Sequence, residues 1–288
     1  MNDSSYQHWF VEKFGDEGTS FGLAIKSKLH DEQSDYQRIE VYDTQTFGHL
    51  MVIDGCVMLT QRDNFLYHEM MAHPALFTHP DPKKVAIIGG GDCGTLKEVL
   101  KHPEVNSAWQ IEIDEKVTLL SERYFPELCS SNGDPRAHFY FGDGIQWIEA
   151  QAADSLDLII VDSTDPVGPA AGLFTPAFFK ACHRALGDAG IVVQQSESPL
   201  LHATTIIKSL HRNMKKVGFR SVTTLPFPQP VYPTGWWSCT MASKDMDCTR
   251  FRSEDVKNKR FKCDYYNTAI HHGALAQPEF LKRALKSC

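Results

Sequence analysis

The chain has 288 residues, 42% of them hydrophobic, and a formal net charge of −7 at pH 7. Such a length holds one large domain, or a large domain with a small one. The negative charge disfavours a general nucleic-acid binder and suits a cationic substrate, although an acidic surface that only aids solubility explains it equally well. No apolar run is long enough for a membrane span and the first thirty residues lack a signal-peptide pattern, so we expect no membrane partner. The eight cysteines contain no C-x-x-C pair, which favours reduced thiols and a cytoplasmic location.

The first 62 residues have the pattern of short strands. Strand-like runs cover residues 21–25, 37–42, 50–53 and 57–60. Asp54-Gly55 lies between the last two runs, and Asp-Gly is a strong signal for a two-residue hairpin. The sequence therefore predicts a small antiparallel β domain over 1–62, followed by a second domain over 63–288.

Residues 63–77 have helical periodicity, and Pro74 is expected to kink or split this helix because it lacks a backbone donor. The segment contains His68 and His73, which are five positions apart. Two zinc-binding histidines on one helical face are four apart, so these two should diverge, and we predict no metal site.

Next comes a turn rich in glycine. Residues 85–88 are all apolar, as in a strand buried on both faces, and they lead into the run Gly-Gly-Gly-Asp-Cys-Gly and then a helical pattern. Glycines at this place let the backbone turn tightly and approach a ligand closely. The turn predicts a nucleoside-binding corner of an open α/β sheet.

Three further runs end in acids. Glu112 lies 21 positions after Gly91, close to the spacing of about 20 at which an acid binds ribose hydroxyls. Asp143 follows the third run, and Asp162 and Asp165 follow the fourth. The carboxyl ends of parallel strands meet at one edge, so these acids should line one cleft. Taken singly, each is as readily a solvated acid at a strand end.

Asp92 indicates the kind of nucleoside. A fixed carboxylate in the turn would repel a pyrophosphate, and no Gly-Lys-Ser/Thr follows, which excludes a P-loop. A cationic S-adenosyl compound whose chain ends in an amine without a carboxylate suits this position.

Strands and helices continue to alternate to about residue 196, and a helix is predicted over 204–217. Two neighbouring strands follow, at 222–225 and 237–241. Alternation at this spacing predicts a parallel sheet, here ending in a hairpin. This layout resembles the class I S-adenosylmethionine-dependent (Rossmann-like) fold, with seven strands.

Several motifs together resemble those of the polyamine aminopropyltransferase family, over nearly the whole chain. They are Gly89-Gly90-Gly91-Asp92, Glu112-Ile113-Asp114, Gly142-Asp143-Gly144, Asp162-Ser163-Thr164-Asp165-Pro166, Tyr67-His68-Glu69-Met70, Tyr232-Pro233-Thr234-Gly235 and Tyr265-Tyr266-Asn267. The resemblance implies transfer of the aminopropyl group of decarboxylated S-adenosylmethionine, a co-substrate, to putrescine, giving spermidine and 5′-methylthioadenosine. It implies no other cofactor, and a homodimer or homotetramer.

The resemblance also implies roles for single residues. In the nucleoside site, Glu112 would bind the ribose diol, Asp143 and Gly144 the adenine edge, Pro169 the adenine face, and Gln37 a further part of the nucleoside. Asp92 would pair with the aminopropyl ammonium. On the acceptor side the expected set is Asp162 as proton acceptor, Asp165 and His68 as diamine-binding groups, and Tyr67 and Tyr232 as positioners of the attacking nitrogen.

Two alternatives stay open. A putrescine N-methyltransferase shares the framework but uses intact S-adenosylmethionine, and a relative without catalysis would only bind a nucleoside. Two departures from the family pattern affect the nucleoside contacts. Cys93 stands where glycine is usual, so either its φ is negative or the loop differs slightly, and Met58 stands where many members have a second glutamine.

Overall fold

A computed structural model describes residues 8–15, 18–166, 168–286 and 288 of the chain. Its first part is an antiparallel sheet of five strands in sequential order. These strands are β1 Trp9–Phe14, β2 Thr19–Gln33, β3 Arg38–Thr44, β4 His49–Ile53 and β5 Cys56–Thr60. The predicted β fold is confirmed, but the sequence reading missed β1 and most of β2.

The turn between β4 and β5 is the predicted two-residue hairpin. Asp54 and Gly55 both have positive φ, of 50° and 86°. Such angles match the twist of the flanking strands, which is why Asp-Gly is favoured there. The hairpin fixes the register that places Met58 of β5 on the cleft described below.

A second sheet has seven strands in the order β11-β12-β10-β9-β6-β7-β8. The strands are β6 Lys84–Gly89, β7 Ser107–Glu112, β8 Ala137–Phe141, β9 Leu156–Asp162, β10 Leu186–Gln195, β11 Ser221–Pro228 and β12 Trp236–Ser243. Neighbouring strands pair in parallel across β10, β9, β6, β7 and β8, taken in sheet order. Strand β12 pairs antiparallel with β10 and β11. This confirms the predicted Rossmann-like sheet that ends in a hairpin.

Helices cover both faces of this sheet. They are α1 Asn64–Thr78, α2 Gly94–Leu100, α3 Glu115–Tyr124, α4 Gly144–Ala150, α5 Pro176–Ala185, α6 Pro199–His202, α7 Ile206–Lys216, α8 Ser253–Asn258, α9 Thr268–Leu275 and α10 Glu279–Leu285. Alternate residues of β6 show the two layers. Val85 and Ile87 pack in the cluster with α1 and α2, whereas Ala86 and Ile88 pack in the cluster with α4, α5 and α7. Among the described residues, no helix has the length and apolarity to cross a membrane.

The expected break at Pro74 does not split α1, which runs unbroken from Asn64 to Thr78. The proline leaves the carbonyl of Met70 without its helical donor. That carbonyl accepts a hydrogen bond from Cys239 Sγ at 3.5 Å instead. Burial of nearly the whole helix and this substitute donor explain its continuity.

The small sheet packs beside the carboxyl edge of the large one. Ile39 and Met51 on one face belong to the same hydrophobic cluster as Val117 and Leu120 of α3. Leu50 and other residues of the opposite face form a cluster that includes Val231. This packing places the small sheet beside the end of β9, so residues of both sheets line one cleft.

Candidate active site

The cleft has a volume of about 450 Å³ and lies where the strands of the large sheet end, beside the small sheet. All five predicted acids line it: Asp92, Glu112, Asp143, Asp162 and Asp165. Within the described part of the chain, none of the five forms an ion pair with a lysine or arginine. Their negative charge is therefore available to a cationic ligand.

Asp162 ends β9 and is only 8% exposed. Its Oδ1 accepts a hydrogen bond from the Tyr67 hydroxyl at 2.6 Å, and its Oδ2 accepts one from the Thr95 hydroxyl at 2.6 Å. Burial, followed by the charge of Asp92, raises the pKa of Asp162. A buried carboxylate with a raised pKa is suited to accept a proton from a bound cation.

The glycines of the turn leave room for this carboxylate. Gly89 and Gly90 have φ of 80° and 65°. A Cβ at Gly89 would lie 2.2 Å from the Asp162 carbonyl oxygen, and one at Gly90 would lie 2.7 Å from Asp162 Oδ2. The glycine run therefore allows the end of β9 to approach the turn closely.

His68 is buried, and its Nε2 lies 3.2 Å from Asp92 Oδ2. Burial lowers the pKa of His68, but the charge and hydrogen bond of Asp92 outweigh it, so the pKa is raised. Tyr67, the preceding residue, lines the cleft, whereas His68 lies behind Asp92. The structure shows His68 in contact with Asp92, and its direct contact with the diamine stays a prediction.

Glu112 and Gln37 both line the cleft. Glu112 Oε2 accepts a hydrogen bond from Gly91 N at 3.1 Å, and Oε1 accepts one from Asp114 N at 3.0 Å. Burial raises the pKa of Glu112 to about 7. Gln37 Nε2 donates to Asp114 Oδ2 at 3.1 Å, which ties the small sheet to the large one. Both carboxylate oxygens of Glu112 keep a lone pair for ligand hydroxyls.

Asp143 lines the cleft and is also the N-cap of α4, since its Oδ1 accepts from Ile145 N at 2.7 Å. At Gly144 a Cβ would lie 2.5 Å from Ile88 Cγ2, so the close packing of α4 on β6 requires glycine there. The Pro169 side chain lies outside the described residues, and its stacking on adenine stays a prediction.

Tyr232 lies against Tyr67, with ring centroids 5.9 Å apart. Its hydroxyl donates to the carbonyl oxygen of Met58. Tyr67 donates to Asp162. Both tyrosines line the cleft, and with both hydroxyl protons committed the two oxygens can act only as acceptors, which suits an ammonium.

The sequence reading missed Glu12 of β1. Its carboxylate accepts from Val57 N at 3.0 Å and lies near Asp165, and burial raises its pKa to about 7. The run Trp-Phe-Val-Glu-Lys-Phe has no apolar and polar alternation, so the sequence gives no strand signal at this position. Glu12 adds a further acid near Asp165.

Cys93 keeps the left-handed conformation usual for glycine, with φ of 66°. Of the two alternatives that the sequence leaves open, a negative φ is therefore excluded. Non-glycine residues adopt this conformation at a cost of about 1–2 kcal/mol. The Sγ of Cys93 is buried and donates to the Gly91 carbonyl at 3.5 Å, which ties the side chain to its own loop.

One group of metal-capable side chains lies elsewhere, formed by Glu69, His73 and Cys263. Glu69 already accepts three backbone hydrogen bonds, from residues 264, 265 and 266. The two ring nitrogens of His73 lie 3.0 Å from His102 and from Glu98. Burial raises the pKa of the Cys263 thiol to about 12, so it stays protonated. These engaged atoms are unsuited to a metal ion.

Comparison with known proteins identifies relatives of this chain. Residues 64–252 match the family described as the spermine/spermidine synthase domain, and residues 8–61 match the spermidine synthase tetramerisation domain. The polyamine aminopropyltransferase of Methylococcus capsulatus is 60% identical over 280 residues, which are 97% of this chain and 98% of that protein. That of Thioalkalivibrio sulfidiphilus is 59% identical over 277 residues, 96% of this chain and 97% of the other.

Solved structures agree over nearly the whole length. A spermidine synthase in complex with the transition-state analogue AdoDATO has a TM-score of 0.93 at 35% identity, covering 98% of this chain and 96% of that chain. The spermidine synthase from Thermotoga maritima has a TM-score of 0.92 at 36% identity, with the same coverage.

The Rossmann-like fold, the acid-lined cleft and these relatives define an enzyme of polyamine biosynthesis, an aminopropyltransferase. The chain belongs to the spermine/spermidine synthase family.

Proposed function

We propose that the protein is a spermidine synthase, which transfers the aminopropyl group of decarboxylated S-adenosylmethionine to putrescine and releases spermidine and 5′-methylthioadenosine. The observation that carries the proposal is the set of acids that lines the cleft around buried Asp162, none of which pairs with a lysine or arginine among the described residues. Both reactants are cations, and fixed carboxylates without lysine or arginine partners attract them. The decarboxylated donor acts as a co-substrate, and the reaction needs no other cofactor.

The nucleoside occupies the end of the cleft between Glu112 and Asp143, which both line it. Glu112 accepts hydrogen bonds from the ribose diol, with Gln37 beside it, and Asp143 with Gly144 binds the adenine edge. The aminopropyl ammonium extends to Asp92, whose charge His68 partly offsets from behind. An intact S-adenosylmethionine would bring its own carboxylate to Asp92, and two like charges about 4 Å apart repel by about 4 kcal/mol at an effective dielectric of 20.

The diamine lies between Asp162 and the outer acids. Its free pKa is close to the 10.4 of a lysine, so it arrives protonated and cannot attack. Asp162 takes the proton, while the hydroxyl oxygens of Tyr67 and Tyr232 orient the nitrogen. At the far end, Asp165 binds the second ammonium, which favours a diamine over a monoamine, and the charge of nearby Glu12 adds to the attraction.

The bond change is an in-line displacement. The nitrogen lone pair forms a bond to the aminopropyl carbon that is attached to sulfur. The electrons of that carbon–sulfur bond return to sulfur. Because the sulfonium leaves as a neutral thioether, no general acid is required. Proton removal supplies about 10²–10⁴-fold, and alignment of the three atoms supplies at least as much.

Product analysis tests the proposal against its alternatives. The protein is given decarboxylated or intact S-adenosylmethionine with putrescine, cadaverine, agmatine or spermidine. We expect spermidine and methylthioadenosine from the decarboxylated donor and putrescine. Methyl transfer from the intact donor alone would establish an N-methyltransferase, and no turnover with any pair would indicate a nucleoside-binding relative.

We further propose that the chain assembles as a homodimer or homotetramer through the small sheet. The match of residues 8–61 to a tetramerisation domain supports this. So do the exposed side chains of Trp9 and Val11 on the edge strand β1, which are 56% and 48% exposed. A monomeric mass by light scattering would refute the assembly.

A further inference from the structure

Thr95 makes a contact that no part of the proposed mechanism has used so far. It is the second residue of α2, is fully buried, and donates its hydroxyl hydrogen to Asp162 Oδ2 at 2.6 Å. A threonine within a helix usually bonds a carbonyl of the preceding turn. Here α2 has only begun, and the hydroxyl instead reaches across the glycine turn to the end of β9.

We propose that Thr95 is a positioning residue, which holds the carboxylate of Asp162 ionised and in the rotamer that accepts the proton of the amine. This rests on the proposed role of Asp162 as proton acceptor. The Thr95 hydroxyl occupies Oδ2, and the Tyr67 hydroxyl occupies Oδ1. Two donors from two helices fix the plane of the carboxylate, and each oxygen retains a lone pair for the substrate.

Charged and titratable groups face Asp162 from every side. Asp92 on the glycine turn disfavours the ionised form, and His68 of α1 favours it. Tyr67 of α1 donates to the carboxylate, and Tyr232, ahead of β12, lies close by. Burial and Asp92 thus oppose ionisation, so the hydrogen bonds of Tyr67 and Thr95 are needed to keep the base available near neutral pH.

A valine at this position has almost the same shape as threonine but no hydroxyl. Removing the hydroxyl leaves Oδ2 without its buried donor, and the carboxyl then keeps its proton to higher pH. In Thr95→Val we expect the acid limb of the kcat/KM profile for the diamine to move up by about one pH unit, so that activity at pH values on the limb falls by about tenfold. At pH values above its acid limb, Thr95→Val should regain most of the wild-type activity. Protonation of the diamine contributes equally to the pH profiles of the wild type and the variant, because both proteins use the same diamine. It therefore does not affect the difference between the two profiles.

The tests separate this role from simple packing. Thr95→Ser should restore the wild-type limb. Thr118→Val is the matched control, since the buried Thr118 hydroxyl donates to the Gly91 carbonyl at 3.0 Å in the same turn, and we expect no shift of the limb. If Thr95→Val does not fold, Thr95→Ala against Thr95→Ser makes the same comparison.

The outcomes also separate Thr95 from the proposed mechanism. An unmoved acid limb in a folded Thr95→Val or Thr95→Ala protein, or an equal loss of activity at all pH values, would overturn the role of Thr95. If Asp162→Asn in parallel still loses turnover, only the Thr95 inference fails. If Asp162→Asn keeps turnover, the base assignment itself is wrong.

Discussion

Replacement of Asp162 by asparagine should reduce turnover by about 10²–10⁴-fold while leaving methylthioadenosine binding intact. Asparagine preserves the shape of the side chain but cannot accept the proton of the amine. It still accepts a hydrogen bond from Tyr67 or Thr95, so the pocket keeps its form. The measurement is kcat with putrescine, beside a calorimetric titration with methylthioadenosine.

The same variant makes a prediction on stability. Burial raises the pKa of Asp162 in the folded protein, so its ionised form costs folding free energy at neutral pH. That cost disappears in Asp162→Asn, and the melting temperature at pH 7.5 should be equal or higher. Asp188→Asn, at an exposed aspartate, is the control and should change neither turnover nor melting temperature. Turnover near the wild-type value in Asp162→Asn would remove this residue from the mechanism.

Replacement of Glu112 by glutamine should weaken methylthioadenosine binding by about tenfold or more at pH 8. Hydrogen bonds to a charged acceptor contribute about 1.5–3 kcal/mol, and glutamine offers only one acceptor oxygen. Burial raises the pKa of Glu112 to about 7. Wild-type affinity should therefore fall as the pH drops from 8 to 6, because the carboxyl takes up a proton, and the variant should lose this dependence.

Glu115→Gln is the matched control, since Glu115 is exposed at the start of α3, three positions along the chain. It should bind methylthioadenosine as the wild type does at every pH. An affinity in Glu112→Gln equal to that of the wild type would show that the ribose diol is bound elsewhere.

The large sheet could be predicted because its central strands β6 and β9 are buried on both faces. Residues 85–88 and 158–161 are continuous apolar runs that end in glycine or aspartate, and such runs give a strong signal. The grouping of the acids at one edge of the sheet follows from the topology alone, since parallel strands have their carboxyl ends at one edge.

Other features depend on contacts between distant parts of the chain, and local pattern does not reveal these. Pro74 was expected to disturb α1, but a thiol from β12 supplies the missing donor to Met70. His68 follows the family motif, yet it faces Asp92 across 24 positions of sequence. The Thr95 hydroxyl reaches Asp162 from 67 positions away, and no periodicity marks it.

Strand β1 is an element that the sequence pattern did not predict. Its residues alternate between more and less exposed positions, but Trp9 and Val11 lie on the exposed face, so the run has no simple apolar and polar alternation. Glu12 therefore went unnoticed, although its carboxylate reaches the neighbourhood of Asp165.

Selection of the donor by the fixed negative charge of Asp92 and its neighbours can be measured directly. Calorimetric titration of the unaltered protein with decarboxylated and with intact S-adenosylmethionine, in the same buffer, compares two ligands that differ only in one carboxylate. Repulsion of about 4 kcal/mol corresponds to roughly a thousandfold tighter binding of the decarboxylated compound. Equal affinities, or tighter binding of the intact compound, would contradict the electrostatic basis of the site.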